Sequence, residues 1–380
     1  MTNTMSRVHP APPEKPAGAT SAATAQASLL AAFDERRPAA LARAVSLVEN
    51  RRAGFDALLG RLHPRLGRAR RIGITGPPGA GKSTLVMRLV QALRDQGLTV
   101  GVLAVDPTSP FTGGALLGDR IRMESVALDP GVFIRSMATR GSLGGLAAAT
   151  RDVADVLDAF GFDRIIVETV GVGQSELDIA ATADSSVVVL VPESGDSIQT
   201  LKAGLMEIAD LFVVNKADRP GADRLRNEIE LMLGLRGGQT FRNMPAHHGV
   251  DLKRIGNPAR AARDAASREA PDAWTPPVLR SVASQGEGVT ELLEALNRHF
   301  AFLETSGALR ERRRRRLRNR VVEAVEQRFR QRMWRDAETS GWLEERLPAL
   351  EQGTTTPFQV ADELLARSEA LISARSCRDP

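Results

Sequence analysis

The fold of this chain is decided by the stretch Gly76-Pro77-Pro78-Gly79-Ala80-Gly81-Lys82-Ser83. It has the pattern G-x-x-x-x-G-K-S, whose glycines allow the backbone to wrap an anion with successive N–H groups. The apolar run Arg71–Thr75 precedes it, and a helical apolar pattern begins directly after it at Thr84. A strand, a glycine loop and a helix in this order are the context that a phosphate-binding P-loop requires. The alternative interpretation is a glycine-rich structural turn.

The end of this stretch is expected to contact both a nucleotide and its metal ion. Lys82 would reach the β- and γ-phosphates, and the hydroxyl of Ser83 would bind Mg²⁺. The N-terminus of the following helix, near Thr84, adds a partial positive charge. We therefore predict that Gly76–Thr84 binds the phosphate groups of a nucleotide.

Short apolar runs alternate with helical segments through the middle of the chain. Such runs suit strands that are buried on both faces, and the alternation predicts an α/β P-loop NTPase with a mainly parallel sheet flanked by helices. Ligands of such sheets lie at the carboxyl ends of the strands. The expected strands are Arg71–Thr75, Thr99–Val105, Val132–Met137, Arg164–Glu168, Ser186–Val191, Leu211–Asn215 and Val278–Ala283.

Four regions are expected along the chain. Residues 1–26 are rich in Ala, Pro, Ser and Thr and predict a disordered lead-in. Residues 27–68 predict an N-terminal helical segment, and residues 69–302 the P-loop domain, with an irregular insertion at 237–272. Residues 303–380 predict a C-terminal helical arm that is suited to dimerisation.

The arm carries an apolar stripe and a run of arginines. Helices with such a stripe suggest a docking or dimerisation element, and packing on their own domain is the alternative. The run Arg312–Arg316 lacks interleaved aromatic residues and is flanked by Glu311 and Glu323, which favours a solvated or partner-facing surface over nucleic acid. The residues that recur every fourth position in the stripe are Leu317, Val321, Val325 and Phe329.

The composition is that of an ordinary globular protein, with 42% hydrophobic and 26% charged residues. Nothing approaches 18 consecutive apolar residues, so no membrane partner is expected. The net charge of +5 does not demand a nucleic-acid partner. The lone cysteine, Cys377, excludes a disulfide framework or a Cys-based metal site within one chain, which fits a reducing cytoplasm.

The tetrapeptide Asn215-Lys216-Ala217-Asp218 follows an expected strand and predicts guanine recognition. Asp218 would accept hydrogen bonds from guanine N1–H and the exocyclic amine, donors that adenine lacks in that arrangement. The aliphatic stem of Lys216 would lie over the base. A polar strand-to-helix turn is the alternative interpretation of the tetrapeptide.

The stretch Val282-Ala283-Ser284 occupies the position of a further base-contact loop, where a backbone N–H of P-loop GTPases meets guanine O6. Val282 stands where a serine is usual, so a side-chain support of this loop is expected to be lost.

Three acids are candidate metal ligands: Asp106 and Glu168 at the ends of expected strands, and Asp119 in the glycine-bearing loop that follows Asp106. Carboxylate oxygens are ligands that Mg²⁺ accepts. Asp119 has a helix N-cap as its alternative role. Gly171, three residues after Glu168, would meet the γ-phosphate through its N–H. Because Val172 stands where Ras-like enzymes place a water-positioning glutamine, we expect slow intrinsic hydrolysis.

Lysine is rare in this arginine-rich chain and occurs only at Lys15, Lys82, Lys202, Lys216 and Lys253. A chain with this bias is expected to keep lysine where the broad fork of arginine does not serve. Lys202 follows an expected strand and is spaced to share one face of a short helical segment with Asp196 and Gln199. These three residues are candidates for a switch loop with a catalytic or partner-sensing group. A helix-surface lysine is the alternative for Lys202.

These motifs, in this order, resemble the MeaB/ArgK-type GTPases, which are G-protein chaperones of adenosylcobalamin-dependent acyl-CoA mutases. The most specific stretch is D-P-T-S-P-F-T-G-G-A-L-L-G-D-R-I-R at Asp106–Arg122. The resemblance implies a homodimer and Mg²⁺-dependent GTP hydrolysis that gates cofactor loading and protects the mutase, chiefly methylmalonyl-CoA mutase. It also implies metal contacts by Asp106, Asp119 and Glu168, and a switch loop holding Asp196, Gln199 and Lys202. The insertion at 237–272 leaves isobutyryl-CoA or ethylmalonyl-CoA mutase open as partners.

Two other activities fit the P-loop itself. A nickel-inserting GTPase has a similar architecture, although it would want a Cys/His site that a lone cysteine does not supply. A P-loop kinase would transfer phosphate to a small molecule or a protein, and it would not need the N-K-x-D tetrapeptide. For the GTPase, we expect Lys82, Glu168 and Lys202 to carry the catalysis.

Overall fold

The computed structural model describes residues 17–106, 126, 128–138, 143–169, 179, 181–192, 205–236, 274–334 and 337–376. Within these ranges, one parallel sheet has the strand order β3-β2-β4-β1-β5-β6-β7. This confirms the predicted α/β class. The strands are β1 (Arg70–Thr75), β2 (Val100–Asp106), β3 (Val132–Ala138), β4 (Arg164–Thr169), β5 (Ser185–Leu190), β6 (Leu211–Asn215) and β7 (Val278–Ser281).

Helices cover both faces of this sheet. The helices of the N-terminal unit are α1 (Ala17–Asp34), α2 (Pro38–Glu49), α3 (Phe55–Leu62), α4 (Lys82–Asp95), α5 (Leu143–Phe160), α6 (Leu205–Ile208), α7 (Ala222–Arg236) and α8 (Val289–Thr305). None of the helices in the described ranges combines the length and the apolar composition needed to cross a bilayer.

Alternation along β4 shows how the sheet separates two cores. Ile166 is buried with Leu85 of α4 and Leu292 of α8 on one face. Its neighbours Ile165 and Val167 are buried on the other face with the helices α2, α3 and α5. Successive side chains of a strand point to opposite faces, so the three consecutive apolar residues of β4 serve both cores.

The strand that leads into the P-loop is held at its start by a buried ion network. Arg71 Nη2 lies 2.7 Å from Asp155 Oδ1 and 3.1 Å from Asp158 Oδ2. Asp158 also accepts the backbone N–H groups of Gly67, Arg68 and Ala69. Burial alone would lower the pKa of the Arg71 guanidinium, but these two carboxylates and that of Asp184 raise it above its ordinary value. This network fixes the position of β1, whose far end carries the glycine loop.

The N-terminal region begins its helix earlier than expected. α1 starts at Ala17, inside the stretch 1–26 that was expected to be a disordered lead-in. Alanine has the highest helix propensity, and it is the commonest residue of this segment. The second half of α1 is also anchored, because Phe33 is buried in the core beside α2.

The contact pattern divides the chain after Leu309 rather than after residue 302. The reason is that α8 continues to Thr305 and buries Phe300 and Leu303 with the sheet unit. The second unit is helical, as expected of the arm, and Trp342, Val360 and Leu364 form its small core. Its helices are α9 (Ala308–Trp334), which begins two residues before the division, α10 (Ala337–Glu344), α11 (Leu347–Glu351) and α12 (Pro357–Ser376).

Candidate nucleotide-binding site

The loop from Gly76 to Gly81 is shaped by close approaches that only glycine permits. Gly76 has a φ of 140°, and a Cβ there would lie 2.0 Å from the carbonyl oxygen of Val189 on β5. Gly81 has a φ of 83°, and a Cβ there would lie 2.4 Å from Nδ2 of Asn215. A side chain at either position would therefore displace backbone or a buried amide. α4 begins immediately afterwards at Lys82, so the loop runs into a helix N-terminus as an anion site requires.

The Lys82 side chain is folded over this loop. Its ammonium donates to the carbonyl oxygens of Gly76 at 2.8 Å and Pro77 at 2.9 Å, and the residue is buried. Because burial of a lysine charge is costly without hydrogen-bond partners, these contacts hold the charge beside the loop amides. The arrangement concentrates positive charge at the place where the sequence predicts phosphate groups.

Ser83 and Glu168 come together at the carboxyl edge of the sheet. The Ser83 hydroxyl donates to Glu168 Oε1 at 2.7 Å, and Glu168 is buried. Strand pairing aligns Ala104 of β2 with Glu168 of β4, so the backbone of Asp106 at the end of β2 lies at the same edge. A hydroxyl and carboxylates supply the hard oxygen ligands that Mg²⁺ takes, so these residue types fit the ion.

A second hydroxyl pair lies at the ends of the two strands that hold these groups. Thr169 Oγ1 donates to Thr75 Oγ1 at 2.9 Å, and both side chains are buried. Thr75 precedes Gly76, and Thr169 follows Glu168. The pair therefore ties the start of the glycine loop to the segment that leads towards Gly171.

Asn215 joins three parts of the site through its side-chain amide. Its Nδ2 donates to the carbonyl oxygen of Ala80 in the glycine loop at 2.8 Å. Its Oδ1 accepts from the Ser281 hydroxyl at 3.0 Å and from the Ala283 N–H at 3.1 Å. Asn215 is buried, so every one of these bonds is protected from water. The side chain thus fixes the glycine loop against the loop after β7.

The residues after Asn215 continue towards solvent. Lys216 is half-buried and has a φ of 56°, a left-handed conformation that is uncommon for residues other than glycine. The Ala217 N–H donates to the Ser281 carbonyl at 3.0 Å, which holds the loop against β7. Asp218 follows and is exposed. Strained backbone of this kind persists where the surrounding contacts enforce it, and it is common at ligand sites.

The loop after β7 was expected to lack a hydroxyl support, because Val282 stands where a serine is usual. The Val282 N–H donates to the Glu287 carbonyl at 3.1 Å in an antiparallel bridge, so the strand ends at Ser281 instead of Ala283. The Ser281 hydroxyl, one residue earlier, bonds the Asn215 amide. A hydroxyl support is therefore present next to the position where it was expected to be lost.

The structure brings together some predicted site residues and leaves others outside its description. Ser83 meets Glu168, and the loops of Gly81, Asn215 and Ala283 meet around one amide. Asp106 is described in its backbone only. The predicted residues outside the described ranges are Asp119, Gly171, Asp196, Gln199 and Lys202.

Three contributors to the site have no motif of their own. They are the hydroxyl pair of Thr75 with Thr169, the hydroxyl of Ser281, and Arg88 on α4, which bonds carbonyls of the loop after β7. The sequence does carry one signal for the hydroxyl pair and for Ser281. Thr75, Thr169 and Ser281 are hydroxyl residues at the ends of apolar strands, and such ends share one edge of a parallel sheet.

Comparisons with known proteins agree with this geometry. The family model described as "Methylmalonyl Co-A mutase-associated GTPase MeaB" matches residues 41–338. A putative GTPase of Pyrococcus abyssi is 47% identical over 86% of this chain and 91% of its own length. The mitochondrial methylmalonic aciduria type A homolog of Mus musculus is 33% identical over 78% of this chain and 64% of its own length. A crystal structure of an LAO/AO transport system kinase covers 91% of this chain and 98% of its own, with a TM-score of 0.60 and 25% identity.

Proposed function

Since this chain belongs to the family of methylmalonyl-CoA mutase-associated GTPases, and is a P-loop GTPase, we propose that it serves as a chaperone of an adenosylcobalamin-dependent acyl-CoA mutase. In this role GTP hydrolysis gates the loading of the cofactor and protects the mutase. The observation that carries the proposal is the family match across residues 41–338, because the family is named for that association. Methylmalonyl-CoA mutase is the favoured partner.

We propose the nucleotide contacts from the three loops that meet at the carboxyl edge of the sheet. Phosphates bind at Gly76–Thr84, with Lys82 supplying the positive charge. The base binds between Asp218, the stem of Lys216 and the backbone of Val282–Ser284. The single amide of Asn215 fixes the phosphate loop and the base loop at one distance, which suits a ligand that occupies both. A P-loop kinase would not need the N-K-x-D tetrapeptide, so it would leave Asp218 without a role.

Mg²⁺ is proposed to bind beside the phosphates. Ser83 and Glu168 would hold it, with Asp106 and Asp119 as the further acids. The ion would neutralise phosphate charge as it does in other P-loop enzymes. In the structure the Ser83 hydroxyl donates to Glu168 Oε1 at 2.7 Å, so the two oxygens are close enough to be neighbouring ligands of one ion.

Hydrolysis is proposed to be slow until a partner binds. Lys82 stabilises charge on the phosphates, and Gly171 senses the γ-phosphate. The chain has Val172 in place of a water-positioning glutamine, so the missing catalytic group is assigned to the loop of Asp196, Gln199 and Lys202. Lys202 is the group we assign to the developing charge in the transition state.

The exposed stripe of α9 supports a homodimer. Helix α9 buries none of its residues, and its apolar side chains recur on one face. Val321 is 64% exposed and Val325 61% exposed, which is unusual for neighbouring apolar positions on a helix. The other members of the stripe are Leu317 and Phe329. A second copy of the same helix would cover this face with matching apolar side chains.

We predict that Val325→Glu disrupts this dimer. The substitution places a charge in the centre of the stripe, and burying an unpaired charge costs several kcal/mol, so the dimer dissociation constant should rise by about 100-fold or more. Light scattering coupled to size exclusion measures the mass. Gln327→Glu adds the same charge on the opposite side of α9 and should leave the dimer intact. Equal masses for both variants would contradict the proposed interface.

Complex formation with the mutase tests the proposed function. The tagged chain should retain methylmalonyl-CoA mutase on a column, with retention that differs between GDP and a non-hydrolysable GTP analogue. An unrelated P-loop GTPase on the same column gives the background retention of the mutase. Retention by the tagged chain at this background level would contradict the proposed function. Isobutyryl-CoA and ethylmalonyl-CoA mutases, tested side by side, identify the partner by the strongest retention.

A further inference from the structure

Arg88 bonds the helix of the phosphate site to the loop of the base site. It lies on α4, six residues after Lys82, and is half-buried. Its Nε donates to the carbonyl oxygen of Ala283 at 3.3 Å, and its Nη2 donates to that of Ser284 at 2.9 Å. One planar guanidinium therefore holds the carbonyls of two successive residues, which a lysine ammonium does less well.

The two carbonyls determine where the neighbouring N–H groups point. A peptide unit is planar and trans, so the carbonyl of one residue and the N–H of the next face opposite ways. With the Ala283 carbonyl held towards α4, the Ser284 N–H faces away from α4. With the Ser284 carbonyl held likewise, the Gln285 N–H is turned to the Val282 carbonyl, to which it donates at 2.9 Å.

This orientation selects one amide of the loop for a ligand. The Val282 N–H donates to Glu287, and the Ala283 N–H donates to Asn215. In the described part of the chain, the Ser284 N–H donates to no group. It is the amide of the three that remains for an acceptor on the base.

We infer that Arg88 is a positioning residue for guanine recognition, which holds the Ala283–Ser284 peptide so that the Ser284 N–H meets guanine O6. The inference rests on the proposed binding of guanine between Asp218 and this loop. It adds a residue from the phosphate helix to the selection of the base. It also assigns the O6 contact to Ser284, and not to Ala283.

The role of Arg88 is tested by comparing Arg88→Ala with Arg88→Lys and the unaltered protein. Loss of two hydrogen bonds from a charged donor should raise the dissociation constant of GDP about tenfold, through faster release. Arg88→Lys keeps the charge but not the fork, so its dissociation constant should lie between the other two. Arg94→Ala is the control, because Arg94 is on the same helix but does not contact this loop. Its Nε donates instead to Asp129 Oδ2 at 3.0 Å.

A second ligand separates positioning from general support. 6-Thio-GDP replaces O6 with sulfur, a weak acceptor, so it gains little from the Ser284 N–H. The unaltered protein should prefer GDP to 6-thio-GDP, and this preference should be about threefold or more smaller in Arg88→Ala. The thermal midpoint of Arg88→Ala should be similar to that of Arg94→Ala. An unchanged preference would overturn the inference even if both affinities fell together. If the unaltered protein bound no guanine nucleotide, the proposed function would fail first, and this inference with it.

Discussion

Replacing Asp218 by asparagine should convert the protein from a guanine binder to a xanthine binder. The Asp218 carboxylate is proposed to accept from N1–H and from the exocyclic amine of guanine. An asparagine presents an NH₂ group to that amine, and two donors then face each other without a partner. Sites that hydrogen-bond a ligand in this way reject an unmatched analogue by about 10⁴-fold or more. Xanthine carries a carbonyl in place of the amine, so the same asparagine would donate to it.

The measurement is the pair of dissociation constants for GDP and XDP, determined with fluorescent analogues. Asp218→Asn should lose at least about 10³-fold in affinity for GDP and should gain affinity for XDP. Asp95→Asn makes the same chemical change at an exposed position at the end of α4 and should alter neither constant. If Asp218→Asn still preferred GDP, the loop after β6 would not be the base-reading loop. Tight ATP binding by the unaltered protein would favour the kinase alternative.

Replacing Lys202 by alanine should abolish the stimulation of GTP hydrolysis by the mutase. A positive group that reaches the phosphates only in the transition state contributes about 10³–10⁵ in rate in related enzymes. Because such a group acts on the transition state, the affinity for GTP should change by less than about threefold. Single-turnover hydrolysis with and without mutase gives the stimulated rate, and equilibrium titration gives the affinity.

Two further variants make the Lys202 result specific. Lys15→Ala removes a lysine from the N-terminal region and should behave like the unaltered protein. Lys202→Arg keeps the charge in a broader group, and partial stimulation there would show that charge is what the position supplies. Full stimulation of Lys202→Ala would assign the catalytic group elsewhere in the loop, with Gln199 as the next candidate.

Much of the sheet could be predicted from the sequence, because buried parallel strands are apolar at nearly every position. The observed β6 has the expected bounds of Leu211–Asn215, and β1 differs only by the addition of Arg70. The start of α1 could not be predicted in this way, since its alanines compete with turn-forming Pro, Ser and Thr in the same stretch. The expected boundary after residue 302 also differs from the observed division after Leu309, because the burial of Leu303 on α8 depends on a tertiary contact.

Sequence motifs predicted the main groups of the candidate site, but they did not predict the hydrogen bonds between these groups. Ser83 and Glu168 could be expected to meet, because Ser83 follows the loop after β1 and Glu168 lies near the end of the neighbouring parallel strand β4. The bond from Arg88 to Ala283 joins residues 195 positions apart, and no spacing in the sequence encodes it. The three bonds of Asn215 are of the same kind, since they require three loops to be in place at once.

Partner-controlled hydrolysis is tested by the rate of GTP hydrolysis measured with and without methylmalonyl-CoA mutase at saturating GTP and Mg²⁺. We expect a slow rate for the isolated protein and a clear increase when the mutase is added, with no increase when an unrelated acyl-CoA enzyme replaces it. A rate that is already fast in isolation, or one that no adenosylcobalamin-dependent mutase changes, would contradict the proposed function.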